Sequence, residues 1–198
     1  VLLKHDAGNG MAGCAALILA GGSGSRFGGE RPKQYLSLGG TAVLRRAADA
    51  FVAHEGVDHV RVVLRADDLG LYDNIFSDSG LLAPVEGGRT RQESARLGLE
   101  SLRDLNPDRV LIHDGARPFP DSALIGRVID ALQHYPAAVP ALPVNDTIKS
   151  AAPDGTVAAT MDRSSLRRAQ TPQGFRFPDI LAAHRSADGV EFTDDAMV

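Results

Sequence analysis

Between residues 21 and 34 the chain strings glycines and cations together: Gly21-Gly22-Ser23-Gly24-Ser25-Arg26-Phe27-Gly28-Gly29, then Arg31-Pro32-Lys33-Gln34. Glycines let backbone N–H groups approach phosphate oxygens closely, and Arg26 and Lys33 can neutralise the charge such a group brings. A second grouping, His113-Asp114-Gly115-Ala116-Arg117-Pro118, follows an apolar run. A carboxylate at the end of an apolar strand can hold Mg²⁺, and Asp114 is the candidate. Residues 143–165 add Thr147, Lys149 and Arg163, all donors suited to a phosphate. These residue types point to a phosphate-rich ligand handled with a divalent cation.

Other chemistries lack their residues. The dinucleotide fingerprint G-x-G-x-x-G fails because Phe27 stands where its third glycine belongs, and the second expected strand ends at Arg65 rather than at an acid for a ribose. No G-x-x-x-x-G-K-[ST] loop occurs. His5, His54, His59, His113, His134 and His184 are scattered without an H-x-x-x-H pair, and there is no G-x-S-x-G elbow. The one cysteine, Cys14, cannot form an internal disulfide, and a four-ligand zinc site would need three non-Cys ligands; Cys14 reads as a small core residue of a reduced, cytoplasmic protein.

Composition narrows the field further. A hydrophobic fraction of 43% is enough to build a core, which excludes wholesale disorder. A net charge of −4, few aromatics and no Trp argue against nucleic-acid binding. The longest strongly apolar run, Cys14 to Ala20, is too short to cross a membrane, and with Asp6 upstream it makes a poor signal peptide. Residues 1–10 precede Met11 and read as an upstream extension or cloning remnant; residues 11–198 are expected to form the domain.

The elements that must position these groups alternate along the chain. Cys14–Ala20, Val60–Leu64, Leu81–Val85, Val110–His113 and Ala137–Leu142 read as strands. Val43, Leu44, Ala47, Ala48, Phe51 and Val52 fall on one face of a helix, as do Leu124, Ile125, Val128, Ile129 and Leu132 after a cap at Asp121 or Ser122. Thr90-Arg91-Gln92-Glu93 matches a capping box, with Ala95, Leu99 and Leu102 continuing its helix. Such alternation predicts an α/β fold with a doubly wound, mostly parallel sheet. Residues 143–165 break the rhythm with Pro143, Pro153 and an Asp154-Gly155 turn, and read as a protruding β-arm. An arm with so few large apolar residues needs a surface to pack on, and a symmetric homodimer would provide one.

Taken in order, the motifs resemble those of the 2-C-methyl-D-erythritol 4-phosphate cytidylyltransferase family of the non-mevalonate isoprenoid pathway. The matching segments are Ala20-Gly21-Gly22-x-Gly24-x-Arg26 with Pro32-Lys33-Gln34-Tyr35-Leu36, Gly87-Gly88-x-x-Arg91-x-x-Ser94, and His113-Asp114-Gly115-Ala116-Arg117-Pro118. Pro143-Val144-Asn145-Asp146-Thr147-Ile148-Lys149, Gln170-Thr171-Pro172-Gln173 and Thr193-Asp194-Asp195-Ala196 complete the series. Asp146-Thr147-Ile148-Lys149 and the doubled Asp194-Asp195 look more like this family than like the cytidylyltransferases acting on ribitol 5-phosphate. Gly21 and Gly115 stand where the family commonly has alanine, changes that each remove only a methyl group.

The resemblance implies a Rossmann-like fold of nucleotidyltransferase type and transfer of CMP from CTP to 2-C-methyl-D-erythritol 4-phosphate, with Mg²⁺ or another divalent cation. It implies catalytic roles for Arg26 and Lys33 on the triphosphate. Ala20, Gly21, Gly22, Gly24, Gly88, Ser94, Asp114 and Ala116 would bind nucleotide, with Asp114 also holding the metal. Arg117 would bind the acceptor, and Thr147, Arg163 and Thr193 its phosphate. Thr147 and Arg163 would act across a homodimer, in the partner's site. The family chain continues past Thr-Asp-Asp-Ala to a catalytic lysine and a metal-binding acid, so a continuation beyond Val198, in some relatives a second enzyme, is expected. A non-catalytic nucleotide-binding module is the rival expectation.

Overall fold

A computed structural model of the chain describes residues 13–22, 31–77, 79–187 and 192–198. A six-stranded sheet is built from β1 (Cys14–Leu19), β4 (His59–Leu64), β5 (Val85–Glu86), β6 (Arg109–Asp114), β7 (Ala137–Ala138) and β12 (Gln173–Arg176), in the order β5-β4-β1-β6-β12-β7. β2 (Ser37–Leu38) and β3 (Thr41–Ala42) form a small separate ladder. β5, β4, β1 and β6 run parallel, and β12 is antiparallel to both of its neighbours. The expected α/β class and mostly parallel sheet are the observed ones.

β1 is buried along its whole length because both of its faces are covered. Alternation along a strand sends successive side chains to opposite faces. Ala16 and Ile18 therefore share one buried cluster with Leu44, Ala48 and Phe51 of α1 (Val43–Val52), Tyr72 and Phe76 of α2 (Leu69–Phe76), and Ile125 and Ile129 of α4 (Ser122–Ala131). Ala15, Leu17 and Leu19 share the cluster on the other face with Ala95 and Leu99 of α3 (Arg91–Ser101) and Ile180 and Leu181 of α5 (Phe177–Ser186). No helix among the described residues is long and apolar enough to cross a membrane.

Several local expectations are sharpened. The Thr90 hydroxyl accepts from the Glu93 N–H, but the Glu93 carboxylate reaches back to the Arg89 N–H, one residue before the cap. The Asp121 carboxylate, not Ser122, caps α4 by accepting from the Leu124 N–H. The strand expected at 81–85 is confined to Val85–Glu86. The one expected at 137–142 is divided by Val139-Pro140 into β7 and β8 (Ala141–Pro143), since a proline has no N–H for a ladder. β12 and α5 were not foreseen: Gln173-Gly174-Phe175-Arg176 has one large apolar residue, and α5 opens on Phe177-Pro178, a proline that suits a first helical turn.

The arm is a pair of ladders. β8 pairs with β11 (Arg167–Ala169), so its base lies slightly outside the expected 143–165. Beyond it, β9 (Lys149–Ala151) pairs with β10 (Val157–Thr160) through the Asp154-Gly155 turn, where Gly155 takes φ +84°. β8, β10 and β11 are exposed throughout.

Candidate active site

The chain direction reverses its lateral progress between β1 and β6, and a crevice opens beyond the carboxyl ends of strands at such a point. β1, β4 and β6 end level there: Gly115 N–H donates to Leu19 C=O at 2.8 Å, Ala20 N–H to Val63 C=O at 2.7 Å, and Gly87 N–H to Leu64 C=O at 2.7 Å. The result is a cleft of about 1430 Å³. Ala20, Gly21, Gly22, Lys33, Gly88, Ser94, Asp114, Ala116 and Arg117 line it together, as do Arg65, Arg89 and Arg91. Residues drawn from three separate motifs thus share one concavity. Gly24 and Arg26 lie outside the described residues.

Each wall has a local cause. Lys33 begins a short 3₁₀ turn, Lys33–Tyr35, and is exposed to the cleft. Its neighbour Gln34 is buried and donates its amide to Ala20 C=O at 2.7 Å and Gly22 C=O at 3.1 Å, fixing the start of the glycine loop against the Lys33 turn. On the opposite wall the Ser94 hydroxyl accepts from Gly88 N–H at 3.1 Å and donates to Thr90 C=O at 2.8 Å. A Cβ on Gly88 would stand 2.1 Å from Glu93 Cγ, and one on Gly87 2.7 Å from Ser94 Oγ, so a side chain at either would force Glu93 or Ser94 to move. The Gly115 pocket is also full. A methyl there would stand 2.7 Å from Leu44 Cδ1 and 3.1 Å from Leu19 O, so Leu44 occupies the room an alanine would need.

Asp114 ends β6 half-buried between two guanidinium groups: Arg91 Nε at 3.2 Å from Oδ1 and Arg117 Nε at 3.0 Å from Oδ2. Arg117 also donates to Gln170 Oε1 at 2.6 Å. Behind them, His113 is buried; its Nε2 donates to Arg117 C=O at 2.9 Å while Nδ1 accepts from the Thr171 hydroxyl at 3.0 Å. Burial pushes the His113 imidazole down to about 4, so at neutral pH it is an uncharged brace for the Asp114–Arg117 turn. Cys14 lies in the core, and burial pushes its thiol up to about 12, which fits packing rather than nucleophilic attack.

The fit of a divalent cation turns on Asp114. Among the described residues no group of three or more His, Cys, Asp or Glu side chains gathers as a metal cage. Mg²⁺ usually takes one or two carboxylates plus phosphate oxygens and water, and a carboxylate offers about four lone-pair positions. Two guanidinium contacts leave Asp114 the capacity to serve as that single protein ligand.

The other expected site residues lie apart from the cleft lining. Thr147 and Arg163 are exposed on the arm, where the Arg163 guanidinium donates to Asn145 C=O. Thr193 is exposed on the segment 192–198. Asp195, two residues on, is buried, with Oδ2 2.7 Å from Arg91 Nη2 and Oδ1 3.5 Å from His184 Nε2. Burial opposes its charge, but His184 and Arg91 outweigh it and hold the Asp195 carboxyl below its ordinary range. Arg91, Gln34 and Asp195 are contributions the motifs contained without revealing. Nothing beside them in sequence sets them apart, because each acts through partners distant in sequence.

The profile of IspD, 2-C-methyl-D-erythritol 4-phosphate cytidylyltransferase, matches residues 14–198. The chain is 55% identical over 188 residues to a bifunctional IspD/IspF enzyme of Paramagnetospirillum magneticum, covering 95% of this chain and 49% of that protein. A bifunctional IspD/IspF enzyme of Rhodospirillum rubrum matches at 55% over 189 residues, with the same shares covered. The chain thus spans about half the length of these curated relatives. Among solved structures, the 4-diphosphocytidyl-2C-methyl-D-erythritol synthase of Anaerococcus prevotii superposes with TM-score 0.82 at 30% identity, covering 94% of this chain and 81% of that one. The 2-C-methyl-D-erythritol 4-phosphate cytidylyltransferase of Thermus thermophilus gives 0.72 at 34% identity, covering 92% and 80%. With its motifs gathered at one sheet edge and its sequence matched from β1 to Val198, the chain belongs to the IspD family of 2-C-methyl-D-erythritol 4-phosphate cytidylyltransferases.

Proposed function

We propose that this chain transfers CMP from CTP to 2-C-methyl-D-erythritol 4-phosphate, releasing pyrophosphate and forming the CDP-methylerythritol intermediate of isoprenoid biosynthesis. The observation that supports this most is the shared cleft, in which Lys33, Gly88, Ser94, Asp114 and Arg117 surround a space wide enough for a nucleoside triphosphate. An acceptor phosphate oxygen attacks the CTP α-phosphorus in line. The bond from that phosphorus to the bridging oxygen of the β-phosphate breaks, and pyrophosphate departs with its electron pair. Charge grows on the attacked phosphoryl group and the leaving group, so catalysis is positioning plus fixed positive charge.

In this reading the backbone at Ala20–Gly22 cradles phosphates and Lys33 faces the developing charge, with Gly24 and Arg26 of the same motif assigned to the triphosphate. Gly88, Ser94 and Ala116 hold the nucleoside, Arg117 holds the acceptor, and Asp114 holds a divalent cation. That cation, when bound, neutralises triphosphate charge. The acceptor phosphate is gripped by Thr193 of the same chain and by Thr147 and Arg163 of a partner's arm. Two observations favour a homodimer: the arm is exposed on nearly every residue, and it carries exposed Leu142, Val157 and Met161. The single cysteine, buried and unpaired, fits a reducing compartment and supports a cytoplasmic reaction.

A pyrophosphate-release assay on the full-length protein, with each nucleoside triphosphate and a panel of sugar-alcohol phosphates, tests this. Release with CTP and methylerythritol phosphate alone is expected. Release with ribitol 5-phosphate instead would reassign the acceptor, and none with any pair would leave a nucleotide-binding module.

A further inference from the structure

We propose that Arg91 is a positioning residue of the transfer site, clamped by the buried Asp195 carboxylate so that it aligns Asp114 and ties the segment bearing Thr193 to the nucleotide cleft. The proposal rests on the transfer reading above for the chemistry it serves, but the clamp itself is a matter of geometry.

Two nitrogens of one planar guanidinium go to two carboxylates from different parts of the chain: Nη2 to Asp195 Oδ2 at 2.7 Å and Nε to Asp114 Oδ1 at 3.2 Å. Asp195 is 1% exposed, with His184 Nε2 3.5 Å from its other oxygen. Arg91 by contrast keeps a third of its side chain exposed and lines the cleft. The next residue strengthens the tie, because Gln92 Oε1 accepts from Phe192 N–H at 2.9 Å. Both residues sit in the first turn of α3, which Thr90 caps. The segment 192–198 is therefore fastened at two points to the helix start that also forms the nucleotide wall.

A buried ion pair contributes little net stability compared with apolar packing, so stability alone does not account for one here. Position does. Arg117 fixes one oxygen of Asp114 and Arg91 the other, which sets the carboxylate plane that a cation would meet. Lysine carries the same charge but lacks the rigid fork that reaches two carboxylates at once.

The test uses Arg91→Lys and Asp195→Asn in the whole chain, each checked for cooperative thermal unfolding. Arg91 sits on a partly exposed first helical turn, so its lysine variant keeps the proposal testable where a buried Asp195→Asn does not fold. Expected are faster amide hydrogen exchange across residues 192–198, CTP affinity by calorimetry unchanged in EDTA but weakened with Mg²⁺, and a kcat/KM loss on the order of 10–100-fold with a raised Mg²⁺ requirement. Unchanged exchange at 192–198, or CTP affinity that falls equally in EDTA, would overturn the clamp. Exchange and calorimetry report on it even if the wild-type chain releases no pyrophosphate, an outcome that would count against the transfer reading instead.

Discussion

Lys33 and Asp114 face the same cleft with opposite charge, and each carries a separable expectation. Removing a preorganised cation from developing charge typically costs about 3–4 kcal/mol, or 10²–10³ in rate. Lys33→Ala should therefore lower kcat by that factor with an unchanged melting temperature, since Lys33 is exposed; a near-normal kcat would remove it from the site. Asp114→Asn should abolish divalent-cation activation in a titration of rate against Mg²⁺, and full wild-type activity in excess EDTA would contradict its role. His113 makes a pH prediction. Its folded value of about 4 lies below the ordinary 6.5, so between these the unfolded chain binds the extra proton and stability falls as pH drops through that window. The loss approaches about 3 kcal/mol below both values. Urea midpoints from pH 7 to 4 should fall less steeply for His113→Gln than for wild type, and parallel curves would refute this. The cleft-facing groups were legible because glycine and lysine suit phosphate and an aspartate at the end of an apolar strand suits a divalent cation. Gln34, His113 and Arg91 were not, because their roles come from Ala20, Thr171 and Asp195, which only the folded chain brings near them.

At the scale of elements, Gly115 and Leu44 show one position adjusting to another. The loss of a methyl at Gly115 looked neutral from sequence, yet α1 has used the space. Gly115→Ala should destabilise by about 1–3 kcal/mol through overpacking. In a double-mutant cycle with Leu44→Ala the two changes should couple favourably, the methyl filling part of the cavity. Denaturant midpoints of the four proteins check this, and simple additivity would show that the contact does not limit the site. The strands and helices that were foreseen, such as β1, β6, α1 and α4, have unbroken apolar periods. Those missed or misdrawn lack one: Pro140 divides an apolar run, and β12 pairs antiparallel through a segment whose neighbours, not its own pattern, make it a strand.

For the whole molecule, the described chain holds Lys33 in the cleft and Thr147 and Arg163 on an exposed arm that does not line it. The arm's existence was legible from its prolines and turn residues, whereas its partner surface belongs to no segment of sequence. The isologous dimer proposed above would give each cleft an arm from the other chain. Mixing Arg163→Ala chains with Lys33→Ala chains tests most directly whether transfer occurs at a site shared in this way. Each heterodimer then has one site with both defects and one with neither. Random pairing should restore pyrophosphate release from CTP and methylerythritol phosphate to about a quarter of the wild-type rate. Verified heterodimers that stay as inactive as the two parents would contradict the account, placing Arg163 and Lys33 in the same site from the same chain.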